Sequence, residues 1–149
     1  MTINPFIISI TAILFGLCFI AVFVSIIIKL LFNNKKVTEL TQAFQTDVQP
    51  EGKVLKKQTI GLSRTLRYRN IATVCISSSG FYLSIGGLFG WNPRVLIPWD
   101  QIKKVQKTKL YSVDAFELLT GDYPYITIIV YPSIFSEMEP YLSQSADVD

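Results

Sequence analysis

The chain has 149 residues, enough for one compact domain with one further element. Its formal net charge is only +3, and half of its residues are hydrophobic. It contains no histidine and two cysteines, a composition that excludes a Ser-His-Asp triad and a zinc-type ligand set.

The first element is a long apolar segment near the N-terminus. Residues Phe6 to Ile28 form an unbroken run of 23 uncharged side chains. As a helix, this run matches the roughly 30 Å hydrocarbon core of a bilayer. A cleavable signal peptide would have a basic start, a shorter apolar stretch and a small-residue cleavage site, and this segment has none of them. The sequence therefore predicts a short non-cytoplasmic tail over residues 1–5 and a transmembrane helix over residues 6–32.

Charge is distributed unevenly beyond this segment. Lys29, Lys35 and Lys36 follow the apolar run, whereas no basic residue precedes it. The positive-inside rule then predicts that the C-terminal part lies in the cytoplasm. From Lys29 to Lys109 there are 14 basic and four acidic residues, and from Leu110 onward there are seven acidic residues and no basic one. This contrast indicates an oriented molecule, although charges that segregate by chance on a mixed surface explain it equally well.

Residues 33–60 are predicted to join the membrane helix to a domain. Val37, Leu40 and Phe44 recur at helical spacing, which predicts a short amphipathic helix on the membrane surface or against the domain. The stretch Asp47–Lys53 is rich in turn formers and is typical of a linker.

From Leu62 onward, short strand signals alternate with turn formers. The predicted strands are Arg64–Arg69, Ile71–Ile76, Phe81–Ile85, Arg94–Ile97, Ile102–Leu110, Ala115–Leu119 and Tyr125–Tyr131. Within Pro132–Leu142 the period changes, and five apolar side chains share one helical face. Seven short antiparallel strands and one closing helix predict a mainly-β domain over residues 61–143, built as a small barrel or sandwich. An acidic tail is predicted over residues 144–149.

This order of elements resembles the pleckstrin-homology (PH) superfold, which includes the GRAM-like domains. The segments Ser79–Ser84 (SGFYLS) and Arg94–Ile102 (RVLIPWDQI) resemble a pattern in small bacterial single-pass membrane proteins with such a domain. In that family, whose function is largely unknown, a glycine precedes an aromatic-Leu strand, and an Ile-Pro-Trp-x-x-Ile element opens the next strand. The resemblance covers roughly Leu62 to Leu142 and the helix ahead of it. It implies a bacterial inner membrane or an internal membrane, and it is uninformative about a ligand.

The chemistry of the shared residues favours structural roles over functional ones. Gly80 can adopt a positive φ in the turn that enters a strand. Tyr82 and Leu83 must point to opposite faces, so one is expected in the core and the other outside. Pro98 ends a strand ladder, and Trp99 is expected to be a core side chain with one N–H to satisfy. The complete motif comprises Gly80, Tyr82, Leu83, Ile97, Pro98, Trp99 and Ile102.

No pattern in the sequence predicts catalysis. Asp114 and Glu117 are three residues apart and would face opposite sides of a strand. Gly86, Gly87 and Gly90 lack the Gly-Lys-Ser/Thr ending and the following helix of a phosphate-binding loop. A Ser-Lys pair stays open, because no spacing marks or excludes one. The sequence therefore predicts a protein that is not an enzyme and has no cofactor or small-molecule substrate.

Two functions fit these features best. The first is a membrane-tethered interaction module that docks onto another membrane protein or complex as a scaffold or assembly accessory. The alternative is a module that senses anionic lipid surfaces. Its predicted headgroup contacts are Lys35, Lys36, Lys53, Lys56, Lys57, Arg64 and Arg67. A solvated edge strand, which often carries lysine, explains Lys53, Lys56 and Lys57 equally well. Cations and aromatics also interleave in Arg64–Arg69 and Lys103–Tyr111, but the acidic C-terminal part and the tether argue against nucleic acid as the target.

Overall fold

The chain divides into two compact units, of which the first contains the N-terminal helix. The computed structural model describes residues 5–32, 35–87 and 92–146, and the units are Met1–Lys35 and Lys36–Asp149. Helix α1 runs from Pro5 to Phe32, as the apolar run predicts, and the side chains described in it, Ile13 to Ile27, are all exposed. Over the described residues, no helix is both long and apolar enough to cross a membrane.

In the second unit, a short helix leads into seven strands and a closing helix. The elements are α2 (Lys35–Phe44), β1 (Lys53–Gly61), β2 (Arg67–Ser77), β3 (Gly80–Ile85), β4 (Arg94–Ile97), β5 (Ile102–Leu110), β6 (Val113–Thr120), β7 (Ile126–Val130) and α3 (Pro132–Ala146). All seven strands are antiparallel and form one sheet in the order β4-β3-β2-β1-β7-β6-β5, curled into a half-barrel. The predicted antiparallel sheet with a C-terminal helix is confirmed.

The core lies inside the curl of the sheet and is closed by both helices. Ile134 and Met138 of α3 are fully buried in it, and burial of such a side chain contributes about 1.5–3 kcal/mol. Phe135 of α3 stacks on Phe116 of β6 with 3.9 Å between ring centroids. Val37 and Leu40 of α2 are buried in the same core. Of the two positions predicted for α2, the structure therefore has the one against the domain.

Two strand predictions are wrong, and their errors compensate in the count. A strand, β1, occupies Lys53–Gly61, although residues 33–60 were predicted to be a juxtamembrane helix and a linker. The two strands predicted at Arg64–Arg69 and Ile71–Ile76 are one continuous strand, β2. The number seven was right, but the residues assigned to the first two strands were not.

Bulges in the β1–β2 ladder explain both errors. Asn70, which the sequence indicated as a turn former, has a φ of 56° inside β2, where the register shifts between Gln58 and Ile60 of β1. Its backbone N–H donates to Thr59 Oγ1 at 3.1 Å and so ties the bulge to β1. Lys57 has a φ of 55° at a second register shift, which interrupts the alternation expected of a strand.

The predicted C-terminal helix is longer than its sequence pattern. α3 continues to Ala146, into the segment predicted to be an acidic tail. The last three residues of that tail, most of the predicted N-terminal tail, and Gly90 of the glycine-rich stretch lie outside the described residues.

Candidate functional site

Trp99 forms a closed contact at the end of the half-barrel. Its ring is only 8% exposed and stacks on Tyr141 of α3, with 5.1 Å between centroids and 5° between planes. Its Nε1–H donates to the backbone oxygen of Ser77 at 2.9 Å. A large buried ring with its one polar group satisfied joins the turn after β4 to β2 and α3, as expected of a structural residue.

The rest of the Ile-Pro-Trp element turns the chain from β4 into β5. Ile97 is fully buried and ends β4, and Pro98 then leads into a 3₁₀ turn before Ile102 begins β5. Gly80 has a φ of 152°, and a Cβ there would lie 2.4 Å from the backbone oxygen of Ile97. Both the backbone conformation and the close approach of β4 therefore require glycine.

Tyr82 and Leu83 do point to opposite faces of β3, but the expectation that one of them is exposed is wrong. Leu83 belongs to the main core, and Tyr82 is only 3% exposed on the other face. The segment before β1 lies over that face, because the Sγ of Cys75, paired with Tyr82 across the β2–β3 ladder, donates to the backbone oxygen of Pro50 at 3.3 Å. Burial raises the pKa of the Cys75 thiol.

The residues predicted to contact lipid headgroups do not form one surface of unpaired cations. Lys53 Nζ lies 2.6 Å from Glu137 Oε1 of α3, so a basic residue of the first part meets an acidic residue of the second. Lys36 lies 3.2 Å from Glu39 on α2, and Lys35 also has an interaction partner. Lys56 and Lys57 are exposed at the β1 bulge.

Arg64 and Arg67 lie near a different part of the domain, the turn between β5 and β6. Arg67 donates from Nη2 to the backbone oxygen of Arg64 at 3.2 Å. Its guanidinium carbon lies 4.8 Å from the centroid of the Tyr111 ring, within the range of a cation–π contact. Tyr111 and Ser112 have φ values of 52° and 64°, and Leu110 pairs with Val113, as in a two-residue hairpin turn.

A groove opens beside this turn, on the outer face of the sheet. It encloses about 280 Å³ and is lined by Thr59, Arg69, Tyr111, Val113 and Tyr131. Tyr131 is anchored by a hydrogen bond from its hydroxyl to the backbone oxygen of Leu110, at 3.4 Å. The groove thus brings together side chains from β1, β2, the β5–β6 hairpin and the end of β7. Sequence reasoning missed it as a site, and its only local signal was the alternation of cations and aromatics around Arg69 and Tyr111.

The two edges of the sheet differ. Beyond β4, Gln45 pairs with Val95, and the backbone N–H of Thr46 donates to the oxygen of Arg94 at 3.1 Å. Beyond β5, the part of the chain that the structure describes provides no strand partner. This open edge carries four exposed lysines, at positions 103, 104, 107 and 109.

The acidic residues of β6 do not form a catalytic pair. Glu117 is buried and accepts a hydrogen bond from Gln106 Nε2, whereas Asp114 is exposed. The β5–β6 ladder has no register shift between these two residues, so the prediction that they face opposite sides is confirmed. Among the described residues, no group of three or more histidine, cysteine or acidic side chains is placed to hold a metal ion.

No protein-family model matches the sequence. A search of curated proteins gives no match either.

Proposed function

We propose that this protein is a membrane-tethered, non-enzymatic interaction module that acts as a scaffold or assembly accessory of a membrane protein complex. In this proposal α1 is the anchor. Its support is the sequence of the helix, which is 28 residues long and has Lys29 as its only charge. This support comes from the sequence alone, in which the 23 uncharged residues from Phe6 to Ile28 match, at 1.5 Å per residue, the roughly 30 Å of a hydrocarbon core.

The domain is proposed to be PH-like or GRAM-like and to lie in the cytoplasm of a bacterial cell or along an internal membrane. The PH-like or GRAM-like fold is supported by seven antiparallel strands that curl into a half-barrel, with a C-terminal helix packed into its core. The cytoplasmic position is supported by lysines on only one side of the apolar run.

The observation that carries the interaction role is the open edge of β5. Alternate residues of an edge strand direct their N–H and C=O groups away from the sheet, where an extended peptide can add a further strand. The opposite edge is less open, because Gln45 pairs with Val95 and the Thr46 N–H donates to Arg94 at the start of β4. We infer that the partner is an extended acidic segment of another membrane protein, whose carboxylates lie beside the β5 lysines.

The same lysines argue against a second copy of the chain as the partner. Two β5 strands side by side would bring their lysines together, and like charges on neighbouring strands are destabilising. Lysines on an edge strand in general discourage such self-pairing. The β5 lysines attract the carboxylates of an acidic segment, whereas they repel the lysines of a second copy.

Charge reversal on the full-length chain tests this proposal. The double variant Lys107→Glu/Lys109→Glu should abolish co-purification of the partner from mild detergent. The control, Lys56→Glu/Lys57→Glu, changes the net charge by the same amount at the β1 bulge and should retain the partner. Retention of the partner by the β5 variant would exclude the edge as the docking site.

The alternative function, sensing of anionic lipid surfaces, is favoured by one observation, the exposure of Lys56 and Lys57 at the β1 bulge. Near an anionic surface each lysine contributes about 1 kcal/mol, too little for firm attachment. The lipid role replaces the docking role if two results are found. Lys56→Glu/Lys57→Glu, and not the β5 variant, should lose binding to anionic lipid, and added salt should cause the same loss.

Orientation is tested separately. Protease added to sealed, right-side-out cells should leave the domain intact and should digest it only after the membrane is opened. Digestion in sealed cells would place the domain on the other side of the membrane.

A further inference from the structure

We propose that the groove between β2 and the β5–β6 turn binds a small phosphate ester, held by Arg69 and Arg67 and flanked by the Tyr111 and Tyr131 rings. This site goes beyond the proposed docking role and does not depend on it. It lies on the outer face of the sheet, whereas docking uses the backbone edge of β5.

One guanidinium group lines the groove and a second lies beside it. Arg69 is a lining residue, and the guanidinium carbon of Arg67 lies 4.8 Å from the centroid of the lining Tyr111 ring. Arg67 and Arg69 are two residues apart on β2, so their side chains leave the same face of the sheet. Arg69 is exposed, and among the described residues its guanidinium has no hydrogen bond or ion pair. Arg67 uses Nη2 for the Arg64 oxygen, and its guanidinium carbon lies over the Tyr111 ring, which leaves further N–H donors for a ligand.

Two other polar side chains of the groove, those of Thr59 and Tyr131, already have hydrogen-bond partners. Thr59 Oγ1 donates to Asn70 Oδ1 and accepts from the Asn70 N–H, both at 3.1 Å. The Tyr131 hydroxyl donates to Leu110. None of the five lining side chains is acidic. The groove therefore has unused cationic donors and no internal counter-ion, and an anion from solution can provide one.

The geometry favours a phosphate over a single carboxylate. One guanidinium fork satisfies a carboxylate, whereas the three free oxygens and nearly two charges of a phosphate monoester can engage two guanidinium groups. The walls favour an ester with an apolar part, because Tyr111 and Val113 are 44% and 55% exposed. At about 280 Å³, the groove is slightly smaller than the roughly 300–1,000 Å³ of sites for drug-sized ligands, which suits a headgroup-sized molecule.

The test uses the full-length chain in nanodiscs of neutral lipid, titrated with phenyl phosphate and, in parallel, with inorganic phosphate. Calorimetry should give saturable binding of phenyl phosphate, with a weaker response to inorganic phosphate because the ring contacts are missing. The variant Arg69→Gln should weaken phenyl phosphate binding about tenfold, as expected for loss of a charge-assisted hydrogen-bonded pair.

Arg94→Gln is the matched control, because Arg94 is an exposed arginine of β4 that does not line the groove. It removes the same charge and should change affinity by less than about twofold, since exposed charges at a distance are screened. Tyr111→Ala should remove the preference for phenyl phosphate over inorganic phosphate. Equal weakening by Arg69→Gln and Arg94→Gln, or the absence of saturable binding, would overturn the proposal.

A final arm distinguishes a lipid headgroup from a free ester. Phosphatidic acid is added to the nanodiscs as a minor component, and the phenyl phosphate titration is repeated. A lower apparent affinity identifies the membrane as the source of the phosphate. An unchanged affinity identifies a soluble phosphate ester as the ligand. Either result supports the shared chemistry of the site.

Discussion

The contact around Trp99 and the groove around Arg69 are built from similar parts and have opposite characters. Each combines an aromatic ring with a hydrogen-bond donor from a distant part of the chain. In the first, the Trp99 N–H is satisfied by Ser77 and the ring is covered by Tyr141. In the second, Arg69 has no partner among the described residues, and Tyr111 stays 44% exposed.

The difference separates residues that hold the fold from residues that are free to bind. A buried polar group needs a hydrogen-bond partner, because leaving it unpaired costs about 1–3 kcal/mol. In the part of the chain that the structure describes, every buried side-chain nitrogen and oxygen has a partner. A donor without a partner can therefore persist only where water reaches it, as in the groove, and there a ligand can replace the water.

The largest expected effect is on the closed contact. Trp99→Ala should lower the free energy of unfolding by about 3–5 kcal/mol, because it removes a buried ring and leaves a cavity. Chemical denaturation of the full-length chain measures the loss. Trp99→Phe keeps a stacked ring but removes the N–H bond to Ser77, and should cost about 1–3 kcal/mol. A Trp99→Ala chain as stable as the original would show that the contact is not structural.

The next largest effect is expected for Gly80→Ala, which should lower the free energy of unfolding by about 1–3 kcal/mol because of backbone strain. The added Cβ would stand 2.4 Å from the Ile97 oxygen, so β4 must also shift. Ser78→Ala, an exposed position in the same turn, is the control and should change stability by less than about 0.5 kcal/mol. Similar unfolding of the two variants would contradict the requirement for glycine.

Trp99 and Gly80 were predictable from the sequence because their roles follow from local chemistry. A tryptophan that follows a proline at the end of a strand is a large apolar side chain expected in the core. A glycine at the start of a strand can adopt a positive φ. The amphipathic pattern of α3 was equally local, since its buried residues repeat at the spacing of one helical face.

The start of the sheet was not predictable in the same way. Asn70 favours a left-handed conformation, and the sequence was interpreted as a turn, whereas the structure uses that conformation for a bulge inside β2. The bond from Asn70 to Thr59 that stabilises the bulge depends on a pairing that local patterns do not specify. For the same reason the groove escaped prediction, because Arg69 and Tyr111 meet only once the β5–β6 hairpin lies beside β2.

A smaller effect is expected where an aromatic ring is removed from the groove. Tyr111→Ala should cost at most about 1 kcal/mol, the value of an exposed cation–π contact. Tyr111→Phe keeps that contact and should be neutral. Denaturation of both variants beside Trp99→Ala measures the contrast directly. A Tyr111→Ala loss as large as that of Trp99→Ala would make Tyr111 a structural residue and remove the distinction between the two sites.

The smallest effect concerns Tyr68, which lies between Arg67 and Arg69 on the opposite, core-facing side of β2. Burial raises its pKa above the ordinary value of 10.0, because desolvation disfavours the tyrosinate. A pKa raised on folding contributes stability that is fully present below the unfolded value and is lost as pH rises through the folded one.

Tyr68→Phe should therefore change stability by less than about 0.5 kcal/mol at neutral pH. Above about pH 10 it should unfold less readily than the original chain, because it has no phenol to ionise. Denaturation across that range measures the difference. Tyr123→Phe, at an 85% exposed position, is the control and should retain the full alkaline loss. Identical alkaline profiles for Tyr68→Phe and the original chain would mean that the inner face of β2 is as open to water as the groove on its outer face.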